Sequence, residues 1–174
     1  MMTKMYTKTR QLLDAIKFEH SVFALPFAYI GMVLAELRLP EFQSFFWITC
    51  AMVSARTVAM TSNRIIDATI DFNNPRTRNR AIPAGVLSKR ALAIMGIIAG
   101  AIFFLSAGML NPLCLALSPV ALVVVVGYSY SKRFTWMSHI ILGWADGIAP
   151  VGGWIGVRGT IDMEAVLLAG GVAA

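Results

Sequence analysis

The apolar residues of this chain fall into long blocks, with the polar ones gathered between them. Blocks of near-spanning length cover residues 21–35, 42–62, 91–110, 112–128 and 138–157, and a sixth runs ten residues from near Ala165 to Ala174. Crossing the hydrocarbon of a bilayer takes about 20 residues of helix. The pattern therefore predicts an all-α, polytopic transmembrane helix bundle with five complete spans and the start of a sixth. It reads as a single domain over 1–174, of which 1–20 form a polar arm. Two blocks are interrupted by charge, the second by Arg56 and the fifth by Asp146.

Composition agrees with that pattern. The 174 residues are 57% hydrophobic and only 14% charged, whereas soluble domains carry roughly 25% charged residues. The basic residues are sided. Lys4, Lys8, Arg10 and Lys17 lie in the arm, Arg64, Arg76, Arg78, Arg80, Lys89 and Arg90 after the second block, and Lys132 and Arg133 after the fourth. The opposite loops hold only Arg38 and Arg158. The positive-inside rule then puts the N-terminal arm and the 64–90 loop in the cytoplasm of an inner (cytoplasmic) membrane protein. The net charge of +6 is mostly this asymmetry, so it is no sign of nucleic-acid binding, although anionic lipid or an anionic substrate would feel it. Cys50 and Cys114 lie in apolar blocks and read as packing residues. The arm lacks the apolar core of a signal peptide. Gly96/Gly100, Gly143/Gly147 and Gly152/Gly156 have the four-residue spacing that lets membrane helices approach closely.

Candidate chemistry concentrates in NRIIDATIDFNNPRTRNRAIPAG, residues 63–85. Asn63, Asp67 and Asp71 recur every four residues, which on a helix is one face. They offer oxygen ligands only, the preference of a hard cation such as Mg²⁺, which keeps open positions for water and phosphate. The plainer alternative is a solvated helix end with Arg64 pairing Asp67. Arg76, Arg78 and Arg80 follow in a segment that Pro75, Pro83 and Gly85 shape as a loop. Guanidiniums match phosphate oxygens, but these arginines also serve topology. Arg56 lies roughly three turns deeper than Asp67. It could meet a substrate carboxylate, pair with Asp146, or snorkel toward the interface.

These stretches resemble the UbiA-type intramembrane aromatic prenyltransferases. NRIIDATID with PRTRNRAIPAG is similar to that family's first aspartate-rich motif, YSYSKRFTWMSHIILG to its tyrosine–lysine motif, and IKFEHSVFALPFAYIG to its first helix. The resemblance runs through nearly the whole chain. It is nearest to the 4-hydroxybenzoate polyprenyltransferases, in the branch associated with menaquinone. It implies nine helices around a cytoplasm-facing cavity, with two aspartate-rich motifs holding Mg²⁺ on a polyprenyl diphosphate. Asn63, Asp67 and Asp71 match the first motif, which implies all three as metal-binding positions and Asp67 and Asp71, with Tyr128 and Lys132, as catalytic ones. Arg76, Tyr128 and Lys132 match diphosphate-binding positions, with Lys17 a weaker match because arginine is usual there. Arg56 matches the position that meets the carboxylate of an aromatic acid acceptor.

The second aspartate motif has no counterpart in these residues. Asp146 comes too early for it, and Asp162 and Glu164 fall in the loop before the sixth block, on the opposite side. The chain thus reads as the N-terminal portion of a transferase, inactive by itself. The implied reaction is Mg²⁺-dependent electrophilic aromatic substitution in a dry cavity. A CDP-alcohol phosphotransferase also sets spaced aspartates at a membrane edge, but it needs a longer signature. A non-catalytic helix bundle is the other alternative.

Overall fold

In a computed structural model the chain forms six α-helices and, among the described residues, no strand. The structure describes residues 18–37, 40–131 and 138–173. The helices are α1 (Phe18–Glu36), α2 (Phe42–Asn73), α3 (Lys89–Leu110), α4 (Pro112–Ser131), α5 (Ser138–Arg158) and α6 (Met163–Ala173). Five of them match the five predicted blocks, and the sixth starts two residues ahead of its predicted position. The main difference is in α2. Hydropathy ends its block at Ser62, yet the helix continues to Asn73, carrying Arg64 and all three candidate ligands with it. Arg64 is therefore helical and not part of the following loop. Hydropathy marks where a helix leaves an apolar medium, and backbone hydrogen bonding can continue past that point.

α3 and α4 are long and apolar enough to cross a membrane by length and composition. Their outward faces are apolar as well. Ile94, Ile97, Ile98, Ile102 and Leu105 form an exposed stripe on α3, and Val120 and Val123 are exposed on α4. Such a surface is expelled from water but is at home in lipid. Several hydroxyls inside the bundle bond within their own helices, Thr57 to the Val53 carbonyl, Thr61 to Thr57 and Ser106 to Ile102, while the Tyr29 and Thr49 hydroxyls bond to each other between α1 and α2. In a bilayer that internal satisfaction is required.

α2 packs chiefly on α3, α1 on α5, and α5 on α6. At the α1–α5 crossing the backbones nearly touch. A Cβ on Gly31 would run into the Pro150 carbonyl, and one on Gly153 into the Ala28 carbonyl, so only glycine fits at either place. Of the predicted pairs, Gly96 sits against Thr61 and Gly156 against Ile48, while Gly152 has open space beside it.

Asn111 joins three helices from a one-residue link. Its backbone N–H bonds to the Ala107 carbonyl, and its side-chain oxygen accepts the Cys114 N–H at 2.9 Å. Its amide nitrogen donates to the Ile155 carbonyl at 2.7 Å. Between the helices lies a half-open cavity of about 920 Å³ lined by residues of all six helices.

Candidate active site

The α2 extension and the loop after it build one end of the bundle. Asn63, Asp67 and Asp71 fall on one face of α2, as the spacing predicts, and Asp67 and Asp71 are only 7% and 5% exposed. That burial disfavours the solvated-helix-end alternative. α2 stops at Asn74, whose N–H bonds back to the Asp71 carbonyl. The Asn74 side chain accepts the Arg76 N–H at 3.0 Å, forming a turn. The loop is then tied to itself. The Arg80 N–H bonds to the Thr77 carbonyl, the Ala84 N–H to the Arg80 carbonyl, and the Val86 and Leu87 N–H groups to Ala81. Gly85 takes a φ of 71°, in the left-handed region that glycine tolerates best.

Asp71 is the point on which this loop folds. Its carbonyl accepts the Thr77 hydroxyl at 3.2 Å. Both of its carboxylate oxygens accept from Nη1 of Arg80, each at 2.8 Å. Arg64, beyond the apolar part of α2, belongs to the same cluster. Burial first and the like charge of Arg80 second pull its guanidinium below the ordinary arginine range, while Asp71 and Asp67 oppose that shift. Two carboxylates and two guanidiniums thus share one end of the molecule. The loop arginines divide. Arg80 turns inward to Asp71, while Arg76, the position favoured by resemblance, is exposed.

Deeper in, Arg56 and Asn63 of α2, Tyr128 of α4 and Asp146 of α5 all line the central cavity. Nη1 of Arg56 lies 3.8 Å from Oδ1 of Asp146, and Arg56 Nε is buried with no hydrogen-bond partner among the described residues. The pairing weighed as an alternative for Arg56 is therefore present, and one donor is left over. The remaining walls are mostly apolar, among them Phe27, Met52, Phe103 and Val125. Tyr128, expected at the diphosphate, and Arg56, expected at the acceptor, thus line the same cavity. Lys17 and Lys132 lie outside the described residues.

Asp162 and Glu164, set aside above as motif candidates, belong to the other end. Asp162 accepts from Trp154 Nε1 at 3.2 Å and from the Thr160 hydroxyl at 3.1 Å, and lies 3.6 Å from Arg158 Nε. Those partners give it a structural role in the α5–α6 turn. From sequence, Arg80 was named only as one of three loop arginines, and Asn111 not at all. For Arg80 the signal was present in the turn-forming Asn74–Pro75, which lets a residue nine positions on return to the helix end.

A multi-helix membrane bundle, hollow in the middle and charged at one end, is the class of protein that this fold and site define. Residues 24–174 match the UbiA prenyltransferase family, and the chain belongs to it. Members of this family are integral membrane proteins. Similar proteins include a protoheme IX farnesyltransferase from Methylococcus capsulatus, 32% identical across 86% of this chain and 50% of that protein. A 4-hydroxybenzoate octaprenyltransferase from Shewanella loihica is 28% identical across 78% of this chain and 48% of its own length. Among solved structures, the apo form of a UbiA homologue from Aeropyrum pernix K1 superposes with a TM-score of 0.82 at 32% identity, covering 90% of this chain and 59% of that one. A digeranylgeranylglyceryl phosphate synthase has the same fold, with a TM-score of 0.85 at 16% identity over 96% of this chain and 59% of that one. The chain spans about half the length of the two curated relatives named here.

Proposed function

We propose that this chain belongs to a membrane prenyltransferase that moves a polyprenyl group from an allylic diphosphate to an aromatic acid such as 4-hydroxybenzoate or a hydroxynaphthoate. The observation that carries the reading is the junction of two environments on one helix. α2 holds Asp67 and Asp71 at a charged, arginine-rich end, and its deeper turns line a mostly apolar cavity. An isoprenoid diphosphate is divided the same way, into a charged head and an apolar tail. The charged end would face the cytoplasm of the inner membrane.

The residues present fit a magnesium ion. Their donors are all oxygen, and Asp71 lies buried with a cation already at its carboxylate. No group of three or more His, Cys, Asp or Glu gathers among the described residues, so the ion would be held openly by Asp67 and Asp71 with Asn63 close by, leaving positions for phosphate oxygens. The chemistry such an ion supplies is Lewis-acid neutralisation of the leaving diphosphate. Around it, Arg76, Tyr128 and Lys132 would bind the diphosphate, with Lys17 a more distant contributor. The allylic carbon–oxygen bond breaks with its electron pair going to the diphosphate. The apolar cavity keeps water from the carbocation. The acceptor ring forms the new carbon–carbon bond and gives up its proton to the released diphosphate. Arg56 would orient the acceptor through its carboxylate.

A second reading has its own support. Arg56 is already close to Asp146, which weakens its pull on a carboxylate, and relatives named protoheme IX farnesyltransferase are as similar as those named for 4-hydroxybenzoate. In that reading the acceptor is a haem. One experiment separates the two. The intact protein in nanodiscs is given Mg²⁺, a set of polyprenyl diphosphates, and 4-hydroxybenzoate, a hydroxynaphthoate or haem, with products read by mass spectrometry. A prenylated aromatic acid that disappears in Asp67→Asn supports the first reading. Product from haem alone supports the second. No product from any acceptor overturns both.

A further inference from the structure

We propose that Arg80 is a resident counter-cation of Asp71, exchanged when the donor binds: the metal takes the carboxylate and the guanidinium moves to the diphosphate. The inference rests on the metal–diphosphate reading above and adds to it a residue and an order of binding.

Asp71 is buried, and an ionised carboxylate there needs a partner. Arg80 supplies one by placing a single nitrogen 2.8 Å from both oxygens. Those are the oxygens a metal would use, so a metal that arrives alone must displace a charge-assisted contact and leave a guanidinium beside it. Arg64 stands in the same cluster. The formal charges of Asp67, Asp71, Arg64 and Arg80 cancel, so these four groups together exert no net attraction on a bare dication.

A metal that arrives with a diphosphate meets different conditions. The diphosphate brings an anion for the displaced guanidinium, and a guanidinium's planar fork suits phosphate oxygens. Arg80 is placed for such a move. Its backbone is held on both sides, the N–H by the Thr77 carbonyl and the carbonyl by the Ala84 N–H. Its side chain is 38% exposed, against 7% for Asp71. The pivot is therefore fixed and the charged tip can swing. The exposed Arg78, two residues earlier, lacks this contact with Asp71 and serves as the control.

The exchange makes metal and diphosphate binding cooperative through Arg80. The test is equilibrium dialysis of Mn²⁺ against the intact protein in nanodiscs, with and without geranyl S-thiolodiphosphate, a donor analogue that does not react. In wild type the analogue should tighten Mn²⁺ binding by about tenfold or more, the size expected for re-pairing one charge-assisted contact. Arg80→Gln should bind Mn²⁺ alone about tenfold more tightly than wild type, and the analogue should then add only a few-fold. Arg78→Gln should match wild type. Arg80→Lys, which keeps the charge but loses the fork, should fall between and stands in if Arg80→Gln does not fold. If removing the guanidinium leaves binding of Mn²⁺ alone unchanged or weaker, the exchange is wrong while the metal site stands. Absence of saturable Mn²⁺ binding in wild type, Arg80→Gln and Arg80→Lys, with or without analogue, would remove the metal–diphosphate reading and the exchange with it.

Discussion

Two of the ion pairs along α2 are built in opposite ways. At the end of the helix, Asp71 and Arg80 are nine positions apart in sequence, 2.8 Å apart in space, and close both carboxylate oxygens. In the cavity, Arg56 and Asp146 come from different helices, stand 3.8 Å apart, and leave Arg56 Nε without a partner among the described residues. The first pair is made by a turn and its loop, so it is in place whenever α2 ends where it does. The second exists only once α2 and α5 are assembled. A closed pair suits a site that must hold its charge until a stronger ligand displaces it. An open pair suits a site that still has donors to offer. Under the proposed function, the charged head of the donor would fall to the first pair and the acceptor to the second.

The comparison breaks most visibly at Asp71. Asp71→Asn removes a charge that Arg80 and the proposed metal both use. Turnover by the intact enzyme should fall by about 10²–10³-fold or more, the scale of losing one group that stabilises developing charge. Membrane insertion should be unchanged, because the substitution is isosteric and lies outside the apolar part of α2. Single-turnover assays with labelled donor measure the first, and membrane fractionation the second. Near-wild-type turnover would detach this end from the chemistry.

The open pair predicts a smaller and more selective effect. Arg56→Met should raise the KM for a carboxylated acceptor by about 10–100-fold, the value of a charge-assisted contact, with the donor KM nearly unchanged. Asp146→Asn should act in the opposite direction. An acceptor carboxylate at Arg56 would lie near the Asp146 carboxylate, and like charges at such range repel. Removing that repulsion should lower the acceptor KM a few-fold for a carboxylated ring, and have no effect on an uncharged phenol. Equal loss of donor and acceptor binding in Arg56→Met would mark the pair as purely structural.

What was legible in the sequence follows from how local each feature is. The helix blocks were legible because apolar length is a property of neighbours along the chain. The row Asn63, Asp67, Asp71 was legible because a four-residue spacing has one meaning on a helix. The end of α2 was not, since a helix continues past its apolar part wherever the backbone finds partners, here as far as the Asn74 turn. Arg80 was one of three similar arginines, and only the turn geometry decides which of them reaches Asp71. The Asp146 pairing with Arg56 was open for a different reason. It depends on how α5 packs beside α2, and no spacing records that. Asn111 escaped attention because a single polar residue between two apolar blocks reads as a simple link. Its reach to the carbonyls of Ile155 and Gly156 depends on the packing of α5.

Tyr128 gives the finest test of the division between head and tail. It lines the cavity from the last turns of α4, near the segment that carries Lys132. Its carbonyl already accepts the Ser131 hydroxyl at 2.9 Å, so the phenol is the group left to act on a ligand. If that phenol donates to the diphosphate, Tyr128→Phe removes one hydrogen bond and almost no volume. A single hydrogen bond contributes about 1 kcal/mol net, so the donor KM should rise roughly five- to tenfold. The acceptor KM should not move, because the ring still fills the same wall. Anchoring at the membrane interface predicts something else, since an aromatic ring without its hydroxyl still sits at that depth. Steady-state kinetics with each substrate varied in turn decide between them. A donor KM within twofold of wild type would leave Tyr128 as a wall of the cavity and shift the diphosphate contacts to the loop arginines.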